Sequence, residues 1–226
     1  MSIHQLTDKN PKFFYDVKDF PFLNVLLQNF EVIKGELLNL LDKEKENHWL
    51  ITFPDYVSSK NEKAWKVFSF IFFSMKLRKN AELCPKTAAL IYSIPEILSC
   101  DYSFLKPHTH IQPHKGYTKM VLRCHLPLIV PPGHDCAIRV GDETREWEEG
   151  KLIIFDDSFD HEAWNKSDKN RAVLMFDIPN PLWGYTAHQI SKHKIENMDD
   201  PFLLSIMPKE KWIAVFNKGE IPSDVI

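Results

Sequence analysis

Between Cys100 and Pro179 the sequence is a succession of short strand-like runs, each closed by turn-forming residues. The runs are Tyr102–Lys106, His108–Gln112, Met120–Val130, Cys136–Val140, Lys151–Phe155, His161–Trp164 and Ala172–Ile178. Lys115-Gly116, Pro131-Pro132-Gly133, Gly141-Asp142, Glu149-Gly150 and the polar stretch Asn165–Asn170 separate them, and such residues favour bends over continued strand. Many short strands at this spacing bury their apolar sides only in facing sheets or a closed barrel, so the region predicts an antiparallel sandwich or barrel. A jelly-roll is the natural closed form.

The flanks follow another period. Leu26, Phe30, Ile33, Leu37 and Leu40 recur at helical spacing between Pro21 and about Leu41, and Pro21 suits a first turn. A short helix is expected over Lys86–Tyr92, between Pro85 and Pro95, and a helical tail over Thr186–Phe216, broken near Asp200-Pro201 and Pro208. Val67–Leu77 is too short to span a bilayer and contains Lys76, so it reads as one buried strand, with Phe68, Phe70, Phe72 and Phe73 as core. At 226 residues, 44% apolar and 26% charged, the chain suits one domain over 1–226. Its expected parts are a helical buttress over about 20–95, a jelly-roll core over about 100–180 and a helical tail over about 185–218. The fold class expected is mainly β with flanking α-helices around a double-stranded β-helix, cupin-like core.

Charge narrows the partners. A formal net charge of -3 and a pI near 6.4 supply no basic face for nucleic acid or an anionic membrane. Met1 to Pro21 is polar and lacks the apolar stretch of a secretory signal, so a cytoplasmic chain without membrane anchor is expected. Cys84, Cys100, Cys124 and Cys136 have no CxxC spacing and read as reduced thiols.

Candidate chemistry gathers on histidine. His108, His110, His114, His125 and His134 crowd one stretch, and His161 follows the dense segment Phe155-Asp156-Asp157-Ser158-Phe159-Asp160. Neutral imidazole is the commonest ligand for borderline metals, and His114 and His161, 47 positions apart, sit at the ends of two predicted strands. Spacing alone does not distinguish them from ordinary surface or core histidines. Arg123 and His125, two apart on one strand, share a face. Arg171 opens an otherwise apolar strand, where a buried unpaired guanidinium would be costly and a bound anion would be a suitable partner.

The stretch Ser103 to Gly116, ending in Pro113-His114-Lys115-Gly116, is followed by Arg123-Cys124-His125-Leu126, by Trp147 to Glu162 and by Arg171 ten residues beyond His161. Together with Cys84-Pro85-Lys86-Thr87 and Ile94-Pro95, this pattern resembles the aspartyl/asparaginyl β-hydroxylase family from about Phe20 to Pro181. The resemblance implies an iron(II)- and 2-oxoglutarate-dependent dioxygenase that consumes O2 and hydroxylates an unactivated carbon. It implies His114 and His161 as iron ligands, with Gly116 where the usual facial triad places a carboxylate. Arg123 and His125 would hold the keto-acid end of oxoglutarate, and Arg171 with Ser103 the distal carboxylate.

The implied substrate is the β-carbon of an aspartyl or asparaginyl residue in a peptide, or a related amino-acid-derived small molecule. Val121 stands where some relatives that act on acidic side chains place an arginine, and Lys106, Lys115 and Lys119 are possible replacements. The missing carboxylate also resembles oxoglutarate-dependent halogenases; a non-catalytic cupin-like binding module, or a cupin-like protein with three histidines on zinc, is the remaining alternative. Asp156-Asp157 reads as a turn presenting His161, Glu148-Glu149-Gly150 as a hairpin corner, and His108, His110 and Gln112 as one solvated face.

Overall fold

Strands that follow one another in sequence mostly do not pair; they alternate between two facing sheets. The computed structural model describes residues 12–42, 49–51, 57–58 and 64–222. Its strands are β1 (Phe14–Tyr15), β2 (Leu50–Ile51), β3 (Val57–Ser58), β4 (Trp65–Phe72), β5 (Met75–Lys76), β6 (Ser99–Leu105), β7 (Thr109–His114), β8 (Val121–Ile129), β9 (Cys136–Val140), β10 (Glu143–Glu146), β11 (Ile153–Phe155), β12 (His161–Asn165) and β13 (Arg171–Pro179). One sheet runs β1-β11-β8-β13-β6-β4-β2, with β5 beside β4, and the other runs β10-β9-β12-β7-β3. Every named pairing is antiparallel. From β6 to β13 the chain winds through both sheets as a double-stranded β-helix, and only β9 and β10 form a hairpin within one sheet.

Helices flank the larger sheet, the earlier ones on its outer side. They are α1 (Asn24–Gln28), α2 (Phe30–Asp42), α3 (Arg78–Leu83) and α4 (Pro85–Tyr92), then α5 (Ala187–Glu196), α6 (Pro201–Ile206) and α7 (Lys209–Lys218). Leu26, Ile33, Leu37 and Ile91 pack on Phe68, Phe70, Tyr102, Leu126, Leu174 and Phe176. Tyr102 Oη donates to the Ile33 carbonyl at 3.0 Å, tying α2 to the sheet. A second cluster joins α5 to α7 to Phe73, Met75, Leu98 and Val121. The third fills the space between the sheets with Trp65, Leu105, Ile111, Ile138, Trp147, Ile153, Phe155 and Val173. Alternation along β13 therefore turns Leu174, Phe176 and Ile178 to the helices, and Arg171, Val173, Met175 and Asp177 inward.

Several expected elements are revised. Val67–Leu77 is not one strand but the hairpin β4–β5, turned by Phe73 and Ser74 at φ of 43° and 62°. Such turns normally use Gly or Asn, and this one carries neither signal. The first helix is interrupted at Asn29, whose side chain donates to the Val25 carbonyl at 2.8 Å in competition with the backbone ladder. Glu148-Glu149-Gly150 is no hairpin corner: it lies in the crossover from β10 in one sheet to β11 in the other. The four cysteines are free and buried, and no helix among the described residues is long and apolar enough to cross a membrane.

Candidate active site

His114 ends β7 and His161 begins β12, directly opposite each other in the strand pairing. Simple alternation would put His114 on the face of His110 and Gln112, outside the barrel. The register prevents this. His161 faces His114 but Ala163 faces Ile111, so β7 advances three residues where β12 advances two. The extra residue is a β-bulge over Gln112-Pro113, and Pro113 has no N–H to lose from the ladder. His114 consequently turns inward, and the two imidazole centroids lie 4.2 Å apart.

Both rings are held in one tautomer. His114 Nδ1 donates to the Gln112 carbonyl at 2.7 Å and His161 Nδ1 to the Phe159 carbonyl at 3.0 Å. A carbonyl only accepts, so the proton resides on each Nδ1 and the lone pair on each Nε2. Burial pushes both rings below the ordinary histidine value, and His161, further opposed by His114, falls to about 3. Both are therefore neutral at pH 7, the form that binds a metal. Among the described residues no third His, Cys, Asp or Glu completes a metal-binding group with them.

The place of a triad carboxylate is filled from another strand connection. Gly116 N donates to the Asp157 carbonyl at 2.6 Å. A Cβ on Gly116 would lie 2.4 Å from the Asp157 carboxyl group, so only glycine fits beside it. Asp157 is fully buried, faces Arg123 Nη1 at 3.3 Å, and burial raises its carboxyl to about 7 against the pull of Arg123. Asp160, by contrast, pairs outward with Arg139 at 2.7 Å.

From the histidine pair a line of ring contacts runs into the barrel. Phe155 lies 5.8 Å from His161 and 5.1 Å from His125, and His125 lies 5.9 Å from Trp147. The Arg171 guanidinium stacks on Trp147 at 4.4 Å and reaches the Ser103 carbonyl at 3.4 Å. Ser103 Oγ accepts from Trp65 Nε1 at 3.1 Å. Arg171 is 1% exposed and has no carboxylate partner among the described residues; burial lowers it to about 10. Its Nε, both nitrogens of His125 and Trp147 Nε1 are sealed from solvent without a hydrogen-bond partner among the described residues. Buried polar atoms are rarely left so, and these residues lie in ring contact along one line of the barrel interior. Burial, with Arg171 and Arg123 nearby, depresses His125 well below the ordinary histidine value, so it too is neutral.

Arg123 is differently placed. Its Nε and Nη2 grip the two oxygens of Asp177 at 2.9 and 3.0 Å, across the register that sets them opposite on β8 and β13. The set Ser103, Arg123, His125 and Arg171 thus shares the barrel interior, but Arg123 already answers two protein acids.

Beside His114 opens a cavity of about 320 Å³. It crosses neighbouring strands, from Arg123 on β8 through Asp177 and Met175 on β13 and Asp101 on β6 to Ser69 and Val67 on β4. Phe202, Leu203 and Ile206 of α6 cover it. A wider groove of about 970 Å³ lies between Tyr15, Phe22, Phe159 and Trp183, and none of the predicted metal or oxoglutarate residues lines it.

The other residues singled out lie outside this interior. His110 pairs with Glu162 at 2.6 Å and with Gln112 at 3.1 Å, while His108 pairs with Asp168 at 2.8 Å. Of the candidate lysines, Lys115 borders the cavity, Lys119 borders the outer groove and Lys106 lines neither. Sequence reasoning missed Asp177, Asp101, Trp65 and Trp147. Asp177 was findable, standing six residues after Arg171 and hence on its face of an apolar strand.

The sequence profile of the aspartyl/asparaginyl β-hydroxylase family matches residues 27–181. An ornithine lipid ester-linked acyl 2-hydroxylase of Rhizobium tropici is 38% identical over 173 residues, 74% of this chain and 60% of that protein. The aspartyl/asparaginyl β-hydroxylase of Mus musculus is 37% identical over 164 residues, 69% of this chain and 21% of that protein. The chain therefore spans less than two thirds of the first relative and about a fifth of the second. Among solved structures, a Pseudomonas putida prolyl-4-hydroxylase aligns with a TM-score of 0.42 at 12% identity, covering 67% of this chain and 86% of that one.

Proposed function

We propose, from the premise that this chain belongs to the aspartyl/asparaginyl β-hydroxylase family, that it is an iron(II)- and 2-oxoglutarate-dependent hydroxylase. The observation that carries the reading is Arg171: a buried guanidinium with no acid to answer it among the described residues, in the interior that holds two Nδ1-anchored histidines. The donor set fits the absent groups. Two neutral imidazoles suit iron(II), and the partnerless atoms of Arg171, His125 and Trp147 suit an oxoglutarate dianion.

In this reading His114 and His161 hold the metal through Nε2. Arg171 and Ser103 take the distal carboxylate, and His125 faces the keto-acid end. Arg123 adds positive charge to the same space while its bond to Asp177 keeps it in place. When bound, iron with oxoglutarate supplies the oxidation of an unactivated C–H bond at the expense of O2. Phe155 and Trp147 pack in the apolar interior beside these residues and would keep water from a bound oxoglutarate. No protein general base is required. Asp157 fills the space beside Gly116, which weighs against a halide there and against a halogenase. A cupin-like binding module would have no use for the unanswered charge of Arg171.

The substrate is proposed to be a peptide or an amino-acid-derived small molecule, hydroxylated at an unactivated carbon. An aspartyl carboxylate would need a further cation, and Val121 is enclosed in the apolar cluster under α5 to α7. Anaerobic titration with iron(II) and then oxoglutarate tests the reading. A visible charge-transfer band is expected, abolished in His114→Ala and His161→Ala. Arg171→Met should retain iron binding and weaken oxoglutarate roughly 30-fold or more, as removal of one partner of a desolvated charge pair does. Undiminished oxoglutarate affinity in that variant would sink the assignment.

A further inference from the structure

The cavity beside His114 contains more acid than its one internal arginine answers. Asp177 is gripped by Arg123, and Asp157 faces the remaining nitrogen of the same guanidinium. Asp101, a strand further across the sheet, has no ion-pair partner among the described residues; its contact is the Ser69 hydroxyl. We propose that this part of the cavity receives a positively charged nitrogen carried on an aliphatic chain of the substrate, with Asp101 as the residue that sets the preference. The identity of that ligand as substrate rests on the oxygenase reading; the receptor itself does not.

Several observations support it. The cavity has room for about ten atoms of water size, at roughly 30 Å³ each, so it admits a short chain. Its walls are mostly apolar, from Val67, Phe73, Met175, Phe202, Leu203 and Ile206, and an unbranched chain can lie along them. Tyr117 stands on the same wall, and its hydroxyl has no hydrogen-bond partner among the described residues. The cations at the border do not answer Asp101: Lys194 lies over the Tyr117 ring at 5.0 Å, and Lys115 is exposed. Burial raises the Asp101 carboxyl to about 7, a shift that the Ser69 hydroxyl and the more distant Arg123 offset only in part, so no counter-ion beside it holds it ionised. A bound ammonium group would supply that counter-ion, whereas a carboxylate would meet repulsion from Asp101, Asp177 and Asp157.

Calorimetric titration of the whole protein with hexylamine, hexanol and hexanoate, no metal added, is the test. Hexylamine is expected to bind about tenfold or more tighter than hexanoate, with hexanol between them, and Asp101→Asn should narrow the gap to about threefold. Hexanoate binding the wild type as tightly as hexylamine would overturn the inference, whatever the variant does. So would an unchanged preference in Asp101→Asn. Iron and oxoglutarate binding are measured separately, so a protein that takes hexylamine selectively but no iron would overturn the oxygenase reading and keep the receptor.

Discussion

Gly116 shows how a single position can be set by its neighbour rather than by its own strand. A carboxylate there would complete the usual three-residue iron site, yet the Asp157 carboxyl already lies 2.4 Å from where its Cβ would be. Gly116→Asp is therefore expected to expel Asp157 instead of adding a ligand. Overpacking of this kind costs about 1–3 kcal/mol of stability in urea unfolding, and iron(II) affinity should not rise. A variant as stable as the parent with tighter iron binding would show that the space exists. The chemistry-bearing residue types were legible in the sequence, because an arginine or histidine within an apolar strand is conspicuous. How His114 reaches the interior was not. Strict alternation places it outside, and only the slipped register at Gln112-Pro113 turns it in. Asp157 was equally hidden, since its role is defined by Arg123 across the sheet, whereas Asp177 shares the face of Arg171 along one strand.

Among the elements, α6 is the one whose position matters most to the site and whose own resources are slightest. It has six residues, and its buried residue is Leu203. Trp212 of α7 holds it: the indole is fully buried and donates to the Leu203 carbonyl at 3.0 Å. Trp212→Ala should cost about 3–5 kcal/mol, the range for a large aromatic lost from a core. The loss should be local. Amide exchange over 201–206 is expected to accelerate while β8 and β13 remain protected, and uniform acceleration would mean that the tail and barrel unfold as one unit. Element boundaries were read well wherever apolar spacing or proline marked them, as over Cys136–Val140 or at Asp200-Pro201. β10 escaped because Glu143–Glu146 is exposed throughout and has no apolar alternation to detect. The β4–β5 hairpin escaped because its turn is built from Phe73 and Ser74.

For the molecule as a whole, two acids of the barrel interior couple stability to pH in the direction opposite to that of a carboxylate kept ionised by its partner. Burial raises both Asp101 and Asp157 to about 7, from an ordinary value of 3.8. Between about pH 4 and about pH 7 the folded protein thus keeps protons that the unfolded chain has released, and stability falls as pH rises through that window. Asp101→Asn removes one such group while keeping its shape. The variant should match the metal-free wild type near pH 4 and exceed it above pH 7, by on the order of 1–2 kcal/mol once solvent at the cavity is allowed for. Urea unfolding across the range reads this difference directly. A difference independent of pH would mean that Asp101 ionises as freely in the fold as in water. The jelly-roll could be steadier with an apolar residue at this position, so the acid is a cost the barrel carries. Saturating hexylamine should therefore raise wild-type stability above pH 7 and leave Asp101→Asn nearly unmoved, which ties the pH profile to the ligand that the cavity selects.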